Sequence, residues 1–449
     1  MQDIFSYIDD HAEEYLESLF VACRQPSISS QNVGIREMAH LVNDMFTNVG
    51  LKSEILETEN HPLVYAESEG YDSVKTLTCY NHYDVQPPEP LDEWLSEPFS
   101  PEIRDGRIYA RGVADNKGNI IARLSAIDAW LKVRGTLPVK MKFIVDGEEE
   151  IGSPNLKFFP DMYPDKLATD GILWEGGSKD VGGPVHVSLG VKGMLYVEMR
   201  VRTAASDLHS SNAAIVDNPA WILVRALNTL KDADGNIMIN GFNDKVVPET
   251  DLERHYLEKM FFDEKATLEF FGIEKFLDGV SGYELKRRNL FAPTCNIAGI
   301  VAGYTGEGAK TVLPGSALVK MDLRLVPNQD PEEILSLLRN HLDRHGFENI
   351  ELVVHSTAHP FKTSPDHPLA SSVIKCAKTV YGTEPIVYVN CSGTSPIYSL
   401  CKKTGIGAVQ VGVANEDCRA HAPNENIFVQ DYIDGIKLIA AVMDDFSRV

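Results

Sequence analysis

Residues 139–153 read Val-Lys-Met-Lys-Phe-Ile-Val-Asp-Gly-Glu-Glu-Glu-Ile-Gly-Ser, and this stretch decides the fold. Its first seven residues are mostly apolar and partly β-branched, which predicts a buried strand. Three successive carboxylates follow, namely Glu148, Glu149 and Glu150. Such a run is either a solvated turn or a site for cations, because adjacent negative charges repel one another. The second interpretation gains weight because four other strand ends of this chain also present metal-ligand residues.

The composition bounds the class of protein. At 449 residues, with 43% hydrophobic and 24% charged residues, the chain is long enough for two or three domains with a sizeable core. A formal charge of −23 argues against nucleic acid or an anionic membrane as partner, since both would repel it. Residues 1–20 carry apolar side chains at helical spacing broken by Asp and Glu, which predicts neither a signal peptide nor a membrane span. The seven cysteines form no CxxC pair, which favours free thiols and a cytoplasmic location.

Two patterns of hydrophobic residues predict two kinds of sheet. Apolar runs that predict buried strands lie at 62–68, 74–80, 139–145, 170–175 and 407–413, and amphipathic helices are predicted at 4–23 and 36–49. These elements indicate an α/β unit with a mixed, mainly parallel sheet. In such an open sheet, binding sites lie outside the carboxyl ends of the strands. The polar residues that follow these strands are therefore expected to converge.

The middle of the chain alternates strictly between apolar and polar residues, at 195–201 and again at 317–325, which predicts antiparallel strands with one exposed face. Helices at 219–231 and 331–345 and strands at 296–302 and 350–354 complete the order βαββαβ, a ferredoxin-like unit with an extra segment at about 232–292. This α+β unit, residues 192–362, is predicted to be inserted into a discontinuous first domain of residues 1–191 and 363–449.

Several residues near strand and helix ends are candidate metal ligands. His82 follows a strand and has Asp84 two residues on, a spacing that suits an imidazole ligand and the carboxylate that orients it, although a lone His is more often a loop residue. Asp115 lies at the entrance to a helix, as an N-terminal cap or as a ligand shared between two cations. Glu175 and His421 follow two further strands. Each signal is weak alone, and together they form a consistent pattern.

Five motifs in order carry a resemblance to a known family. They are His82-x-Asp84, Arg111-Gly-x-x-Asp115-Asn-Lys-Gly118, Glu149-Glu150-x-Gly-Ser153, Glu175 and His421-x-Pro-Asn-Glu425. In this set the chain resembles the M20 family of co-catalytic metallopeptidases. Segments in the insert look most like the carnosinase and cytosolic nonspecific dipeptidase branch, namely Asp207-Leu-His209-Ser210, Asn218-Pro219, Lys310-Thr-Val-Leu-Pro314 and Arg324-Leu-Val-Pro327.

The resemblance implies a site with two divalent metal ions per subunit, either zinc or manganese or cobalt. Asp115 would bridge the two ions, with Glu150 and His421 on one and His82 and Glu175 on the other. Asp84 would orient His82. Glu149 would be the general base that activates a metal-bridging water, although a third ligand or a spare surface charge remains open for it.

The resemblance also implies a substrate site in the insert, which would act as a lid and dimerisation domain. His209 would come from the partner subunit of a homodimer and polarise the oxyanion. Arg324 would hold the free carboxylate of the substrate, although its strand pattern equally suits an exposed arginine. Thr311, Gly393 and Thr394 match positions that contact substrate, or are simply loop residues.

The expected function is a cytoplasmic, homodimeric, metal-dependent exopeptidase for dipeptides or very short peptides with a free C-terminal carboxylate. An N-acyl amino acid deacylase or a carboxypeptidase of the same family is the first alternative. A catalytically silent dimeric binding protein on the same scaffold is the second.

Overall fold

The computed structural model describes residues 1–69, 74–402 and 405–449. The helices are α1 Gln2–Asp10, α2 Ala12–Arg24, α3 Ile35–Asn48, α4 Lys117–Arg134, α5 Phe159–Met162, α6 Pro164–Leu167, α7 Pro219–Leu230, α8 Asp251–Lys259, α9 Glu264–Phe271, α10 Gly282–Phe291, α11 Pro331–Arg344, α12 Pro368–Tyr381, α13 Ile397–Cys401 and α14 Val429–Phe446. Of the helices in these described ranges, none combines the length and hydropathy needed to cross a membrane.

The strands lie between these helices. They are β1 Lys52–Leu56, β2 Leu63–Glu67, β3 Thr76–His82, β4 Glu102–Arg104, β5 Arg107–Tyr109, β6 Lys140–Asp146, β7 Gly171–Trp174, β8 His186–Ser188, β9 Gly190–Val191, β10 Gly193–Arg202, β11 Leu208–His209, β12 Thr294–Ala302, β13 Val312–Leu313, β14 Ser316–Leu325, β15 Glu351–Ala358, β16 Phe361–Lys362, β17 Ile386–Tyr388, β18 Ala408–Gln410 and β19 Asn426–Phe428.

Within the described residues, a large eight-stranded sheet has the order β1-β2-β6-β3-β7-β18-β8-β17. The central strands β6, β3, β7 and β18 are parallel, whereas β1 and β2 add an antiparallel edge. The central strands are buried on both faces, as expected when helices cover a parallel sheet. Helices α4, α12 and α14 contribute to the same core of buried side chains as these strands. The predicted mixed, mainly parallel sheet is confirmed.

The parallel strands bring the candidate residues to one edge of the large sheet. In the register of β3 and β6, His82 pairs with Asp146, so the two strands end side by side. The carboxylate run then begins two residues after Asp146, and Glu175 directly follows Trp174 at the end of β7. The candidate site therefore lies at the carboxyl ends of parallel strands, where binding crevices form in open α/β sheets.

A separate four-stranded sheet has the order β12-β14-β10-β15, and every neighbouring pair is antiparallel. Helix α7 follows β10 and helix α11 follows β14, which gives the predicted order βαββαβ. Both helices bury side chains against one face of this small sheet. Asp330 caps α11 by accepting hydrogen bonds from the backbone N–H groups of Glu332 and Glu333. The inserted ferredoxin-like unit is confirmed.

The chain passes between the two units through adjacent strands. The short strands β9 and β16 pair antiparallel, immediately before β10 and after β15. The extra segment, however, packs on the first unit, because buried side chains from α8, α10 and the residue that follows α8 join the core of the large sheet. They are Leu257, Met260, Leu290 and Phe291. The domain boundaries 1–191, 192–362 and 363–449 stay a prediction.

Three local predictions differ from the structure. The helix predicted over 4–23 is two helices, because the backbone of His11 leaves the helical region and its ring stacks on Tyr7. The cap at the start of α4 is Asn116, not Asp115, so the carboxylate of Asp115 is free for another role. The strand expected over 74–80 runs to His82 and thus carries this imidazole as its last residue.

Candidate metal centre and substrate site

Asp115 lies at the centre of the candidate site, and its two carboxylate oxygens face two different histidines. Its Oδ1 lies 2.9 Å from Nε2 of His82, and its Oδ2 lies 3.1 Å from Nε2 of His421. Each of these imidazole nitrogens also faces a second carboxylate, since Nε2 of His82 lies 3.7 Å from Glu175 and Nε2 of His421 lies 3.2 Å from Glu150. We refer to these five residues as the histidine–carboxylate cluster. Its two halves share only Asp115.

The cluster is assembled from distant parts of the chain. His82 and Glu175 come from the ends of neighbouring strands β3 and β7, while Asp115 precedes α4. His421 lies in a turn after β18 and adopts a left-handed backbone with φ 63°, an uncommon conformation for a residue other than glycine. The Asp115–Asn116 peptide bond is cis. The structure thus brings together all five residues that the sequence pattern proposed.

Asp84 is buried and holds the neighbouring groups in place. Its backbone oxygen lies 3.0 Å and its Oδ1 3.4 Å from Nδ1 of His82, on the side of the ring that points away from Asp115. The same carboxylate accepts hydrogen bonds from the backbone N–H groups of Glu149 and Glu150, at 3.1 and 3.0 Å. Asp84 therefore fixes the ring of His82 and the backbone of the carboxylate run at once, as partners of metal ligands do.

The cluster has the features of a cation site. His82, Asp115 and Glu150 each offer one ligand atom, and these atoms lie within 4.8 Å of one another. Among the described residues, no hydrogen-bond donor reaches Oε1 of Glu150 or Oε2 of Glu175, although both atoms are buried. A buried carboxylate oxygen without a partner carries a large desolvation cost. Mixed carboxylate and imidazole ligands suit divalent zinc, manganese or cobalt, so the residues present fit such ions.

Glu149 lies beside the cluster in a short 3₁₀ turn, Glu149–Ile151. Burial raises the pKa of Glu149 to about 7, an effect that the charge of His82 opposes and the carboxylates of Glu150 and Asp115 reinforce. Burial likewise raises the pKa of Glu175 well above its ordinary value. A carboxylate with a raised pKa beside a cation site has the properties of a general base near neutral pH.

Glu425 holds the loop that carries Asp115. Its Oε1 accepts hydrogen bonds from the backbone N–H groups of Ala114 and Asp115, at 2.8 and 3.0 Å. Its Oε2 accepts from the N–H of Gly112 at 2.9 Å and from the guanidinium of Arg111 at 2.7 Å. Sequence reasoning quoted Glu425 as part of a motif without giving it a role.

Arg123 is a second supporting residue that sequence reasoning missed. It is 1% exposed, and its guanidinium donates to the backbone oxygens of Tyr80 and Trp174, at 2.7 and 2.6 Å. These oxygens belong to the ends of β3 and β7, so Arg123 fixes the strand ends that present His82 and Glu175. An arginine within the apolar pattern of α4 was the available signal, because a charge on a buried helix needs partners.

The substrate-binding candidates lie at the junction of the two units. Arg324, on β14, donates a hydrogen bond from Nη1 to Oγ1 of Thr394 at 2.8 Å, and the oxygen of Gly393 accepts from the backbone N–H of Lys192 at 2.8 Å. A cavity of about 380 Å³ extends from Asp115 to Cys391, two residues before Gly393. The structure therefore places Arg324, Gly393 and Thr394 together, and Cys391, two residues before Gly393, lines the same cavity as Asp115.

His209 and Thr311 lie elsewhere in the inserted unit. His209 pairs with Val312 in the two-stranded sheet of β11 and β13, and the oxygen of Thr311 accepts a hydrogen bond from Ser210. His209 is exposed, and its Nδ1 lies 2.8 Å from Oγ of Ser211. In the described part of this chain, neither residue has a hydrogen bond or ion pair with the cluster. Their assignment to a substrate site stays a prediction.

Comparisons with known proteins agree with this geometry. The family model described as "Peptidase family M20/M25/M40" matches residues 78–445. The Beta-Ala-His dipeptidase of Mus musculus is 28% identical over all of this chain and 96% of its own length, and the Cys-Gly metallodipeptidase of Schizosaccharomyces pombe is 28% identical over all of this chain and 99% of its own. The crystal structure of an M20 family metallo-carboxypeptidase from Sulfolobus solfataricus is 40% identical with a TM-score of 0.88, covering 97% of this chain and 100% of that one.

Proposed function

The chain belongs to the M20/M25/M40 peptidase family of metallopeptidases, and from this premise we propose that it is an exopeptidase that hydrolyses dipeptides or very short peptides with a free C-terminal carboxylate. One observation carries the proposal. The two oxygens of Asp115 face two separate pairs of imidazole and carboxylate groups, an arrangement that can hold two cations side by side. The curated relatives of similar length are dipeptidases, which supports the same substrate class.

Each residue of the cluster has a role in this proposal. Two divalent ions would be held by these five residues, one by His82 and Glu175 and the other by Glu150 and His421, with Asp115 shared between them. When bound, such a pair of ions polarises the scissile carbonyl and lowers the pKa of water. Glu149 takes the proton from the attacking water and later donates it to the leaving amine. Asp84 keeps His82 in the orientation that leaves its Nε2 free for the cation.

We propose that Arg324 binds the C-terminal carboxylate of the substrate. Its guanidinium is already oriented by Thr394 and lies 3.7 Å from the carboxylate of Asp322, so it presents donors toward the junction of the two units. Planar guanidinium groups bind carboxylates through two parallel hydrogen bonds. Gly393, Thr394 and Thr311 would complete this part of the site.

We further propose that the protein acts as a homodimer in which His209 is contributed by the partner subunit. Two observations support this proposal. His209 is exposed at the surface of the inserted unit, and its side chain bonds with its own neighbours. The inserted unit, residues 192–362, would then serve as lid and dimerisation domain. A cytoplasmic location remains our proposal on the basis of the cysteine pattern.

A second candidate function is supported by one solved structure. The metallo-carboxypeptidase from Sulfolobus solfataricus is the more identical of the relatives described above. The cavity at Asp115 also suits this function, because its lining contains polar neutral side chains such as Ser178, Tyr388 and Gln410. Among the described residues, Asp115 supplies the only carboxylate of this lining that could bind the ammonium of a dipeptide. A carboxypeptidase would release the same C-terminal residue from longer chains.

A peptide panel tests the proposal and separates the two candidates. Chelated protein is restored with manganese or zinc and offered dipeptides with a free or an amide-blocked C-terminus, together with N-acetylated tripeptides and N-acyl amino acids. Metal-dependent cleavage of free-carboxylate dipeptides alone supports the dipeptidase. Release of the last residue from the acetylated tripeptides supports the carboxypeptidase, and cleavage of N-acyl amino acids alone would indicate a deacylase. Equal cleavage of the amide-blocked forms would contradict carboxylate recognition.

A further inference from the structure

Lys192 is a buried lysine to which the described residues offer no carboxylate partner. It lies between β9 and β10, at the point where the chain enters the inserted unit, and it is 3% exposed. Its Nζ donates a hydrogen bond to the backbone oxygen of Ala292 at 2.6 Å. Across the described ranges, no carboxylate lies within ion-pair distance of this ammonium. An ammonium has three donors, and burying it without an opposite charge is costly.

The strand register places Lys192 beside the proposed carboxylate-binding residue. Arg324, near the end of β14, pairs with Met194 on β10 and with Thr294 on β12. Lys192 lies two residues before Met194, on one side of β14. Ala292 lies two residues before Thr294, on the other side of β14. All three strands therefore meet at one end of the small sheet.

The Gly393–Thr394 loop packs against this end of the sheet. The backbone N–H of Lys192 donates to the oxygen of Gly393, and the guanidinium of Arg324 donates to Thr394. Both cationic residues thus hold the same loop. Cys391, which precedes this loop by two residues, lines the same cavity as Asp115, so the loop held by the two cations adjoins a segment that borders the cluster's cavity.

The charges at this end of the sheet do not balance. Arg324 has Asp322 at 3.7 Å, whereas Lys192 has no corresponding carboxylate in the described chain. Asp322 thus offsets one of two positive charges and leaves one unbalanced. Burial and the neighbouring charge of Arg324 lower the pKa of Lys192 to about 8. A single carboxylate bound here would neutralise the excess charge.

Lys192 also has a structural contact that must be separated from binding. Ala292 is the residue that follows α10, and Asn390 donates to the oxygen of Leu290 in the last turn of this helix at 2.8 Å. A cation is favourable at a helix C-terminus. A purely structural lysine would serve only this purpose, and Asn390 already binds the helix end.

We propose that Lys192 is a second carboxylate-binding residue, whose ammonium joins the guanidinium of Arg324 on the C-terminal carboxylate of the substrate. This inference rests on the proposed function and deepens it, since it assigns two cations to one carboxylate. It also implies that the site selects a single negative charge at the end of the peptide, because Asp322 already offsets one of the two positive charges.

The test compares ligands that differ only in the carboxylate. Calorimetry measures the binding of leucine and of leucinamide to the metal-loaded wild type, Lys192→Met, Lys192→Arg and Lys320→Met. Lys320 is the matched control because it lies exposed on the same strand as Arg324. Steady-state kinetics on a free-carboxylate dipeptide give kcat and KM for each variant. Thermal unfolding and metal content check that every variant is folded and loaded.

We expect Lys192→Met to bind leucine about 10- to 100-fold more weakly, the range for losing a charge-assisted hydrogen bond, with little change for leucinamide. KM should rise by a similar factor while kcat changes little, and Lys192→Arg should recover most of the loss. Lys320→Met should behave as the wild type.

Three other outcomes are informative. Leucine binding in Lys192→Met that equals the wild type, with an unchanged KM, would overturn the inference. A loss of thermal stability and kcat without any change in the preference for leucine over leucinamide would also overturn it, in favour of a structural lysine. A wild type that hydrolyses no peptide but binds leucine through Lys192 would refute the proposed function and leave the carboxylate site standing.

Discussion

Replacing Glu425 by Gln tests whether this buried carboxylate positions Asp115, the proposed bridging ligand. The substitution keeps the size of the side chain but removes its charge and turns one acceptor oxygen into an NH₂ group. That group would face either the N–H groups of Ala114 and Asp115 or the N–H of Gly112 and the guanidinium of Arg111. The new NH₂ group would then face other N–H donors, in a site where the side chains of Arg111 and Glu425 are each 1% exposed.

The magnitude follows from these contacts. Removing one partner of a buried ion pair costs about 3–5 kcal/mol, because the remaining charge stays buried without compensation. We therefore expect Glu425→Gln to lower the free energy of unfolding by about 3–5 kcal/mol. Since the contacts of Glu425 hold the backbone of Asp115, metal affinity should also fall by about 10- to 100-fold, the usual effect of removing a group that supports a metal ligand.

Two measurements check this prediction. Urea unfolding of metal-loaded and chelated protein gives the change in stability, and competition with a chelator gives the change in metal affinity. The matched control is Glu416→Gln, which changes an exposed carboxylate in the segment before the turn that contains His421. A double-mutant cycle with Arg111→Met isolates the ion pair from the backbone contacts. If Glu425→Gln loses no more metal affinity than Glu416→Gln, Glu425 does not position Asp115.

Three further predictions concern the dimer, the buried charges and the metals. The variants His209→Asn and Asp115→Ala should each be inactive. Mixing the two should restore part of the activity, because each subunit supplies the residue that the other lacks. Activity assays after subunit exchange would show no recovery if the site is not shared between subunits. Burial and then the charge of Lys140 lower the pKa of Lys142 to about 8, so the unfolded chain binds more protons than the folded chain between pH 8 and 10.5. The stability of the wild type relative to Lys142→Met should therefore rise across this window by on the order of 1–3 kcal/mol in denaturant titrations. A constant difference in stability would contradict the lowered pKa. Chelation should lower Tm and abolish turnover, since ions that bind only the folded cluster stabilise it, and an unchanged Tm in differential scanning calorimetry would argue against a metal in the cluster.

The sequence predicted those strands whose hydrophobic pattern matches their burial in the structure. Alternating residues at 195–201 and 317–325 indicated the antiparallel strands of the small sheet, and the solid apolar runs indicated the buried parallel strands. The ligand candidates converged as expected because parallel strands end at one edge of their sheet. The break of the first helix at His11 could not be predicted, since it depends on the backbone of one residue within a continuous helical pattern.

The supporting residues required the structure because their partners are distant in the chain. Glu425 binds backbone groups more than 300 residues away, and Arg123 reaches strand ends more than 40 residues away. Lys192 reads in the sequence as an ordinary lysine between two short apolar segments. Only the arrangement of β10, β12 and β14 shows that it is buried beside Arg324, with no carboxylate partner among residues 1–69, 74–402 and 405–449.

The central claim is that Glu149 acts as the general base beside two metal ions, and Glu149→Gln tests it most directly. The variant keeps the side-chain volume and leaves all five residues of the cluster in place. Metal content and the turnover of a free-carboxylate dipeptide are measured on the same samples, with Glu416→Gln as control. We predict unchanged metal content with kcat reduced by about 10²- to 10⁴-fold, the range for losing a general base. Turnover equal to the wild type at full metal content would contradict the account.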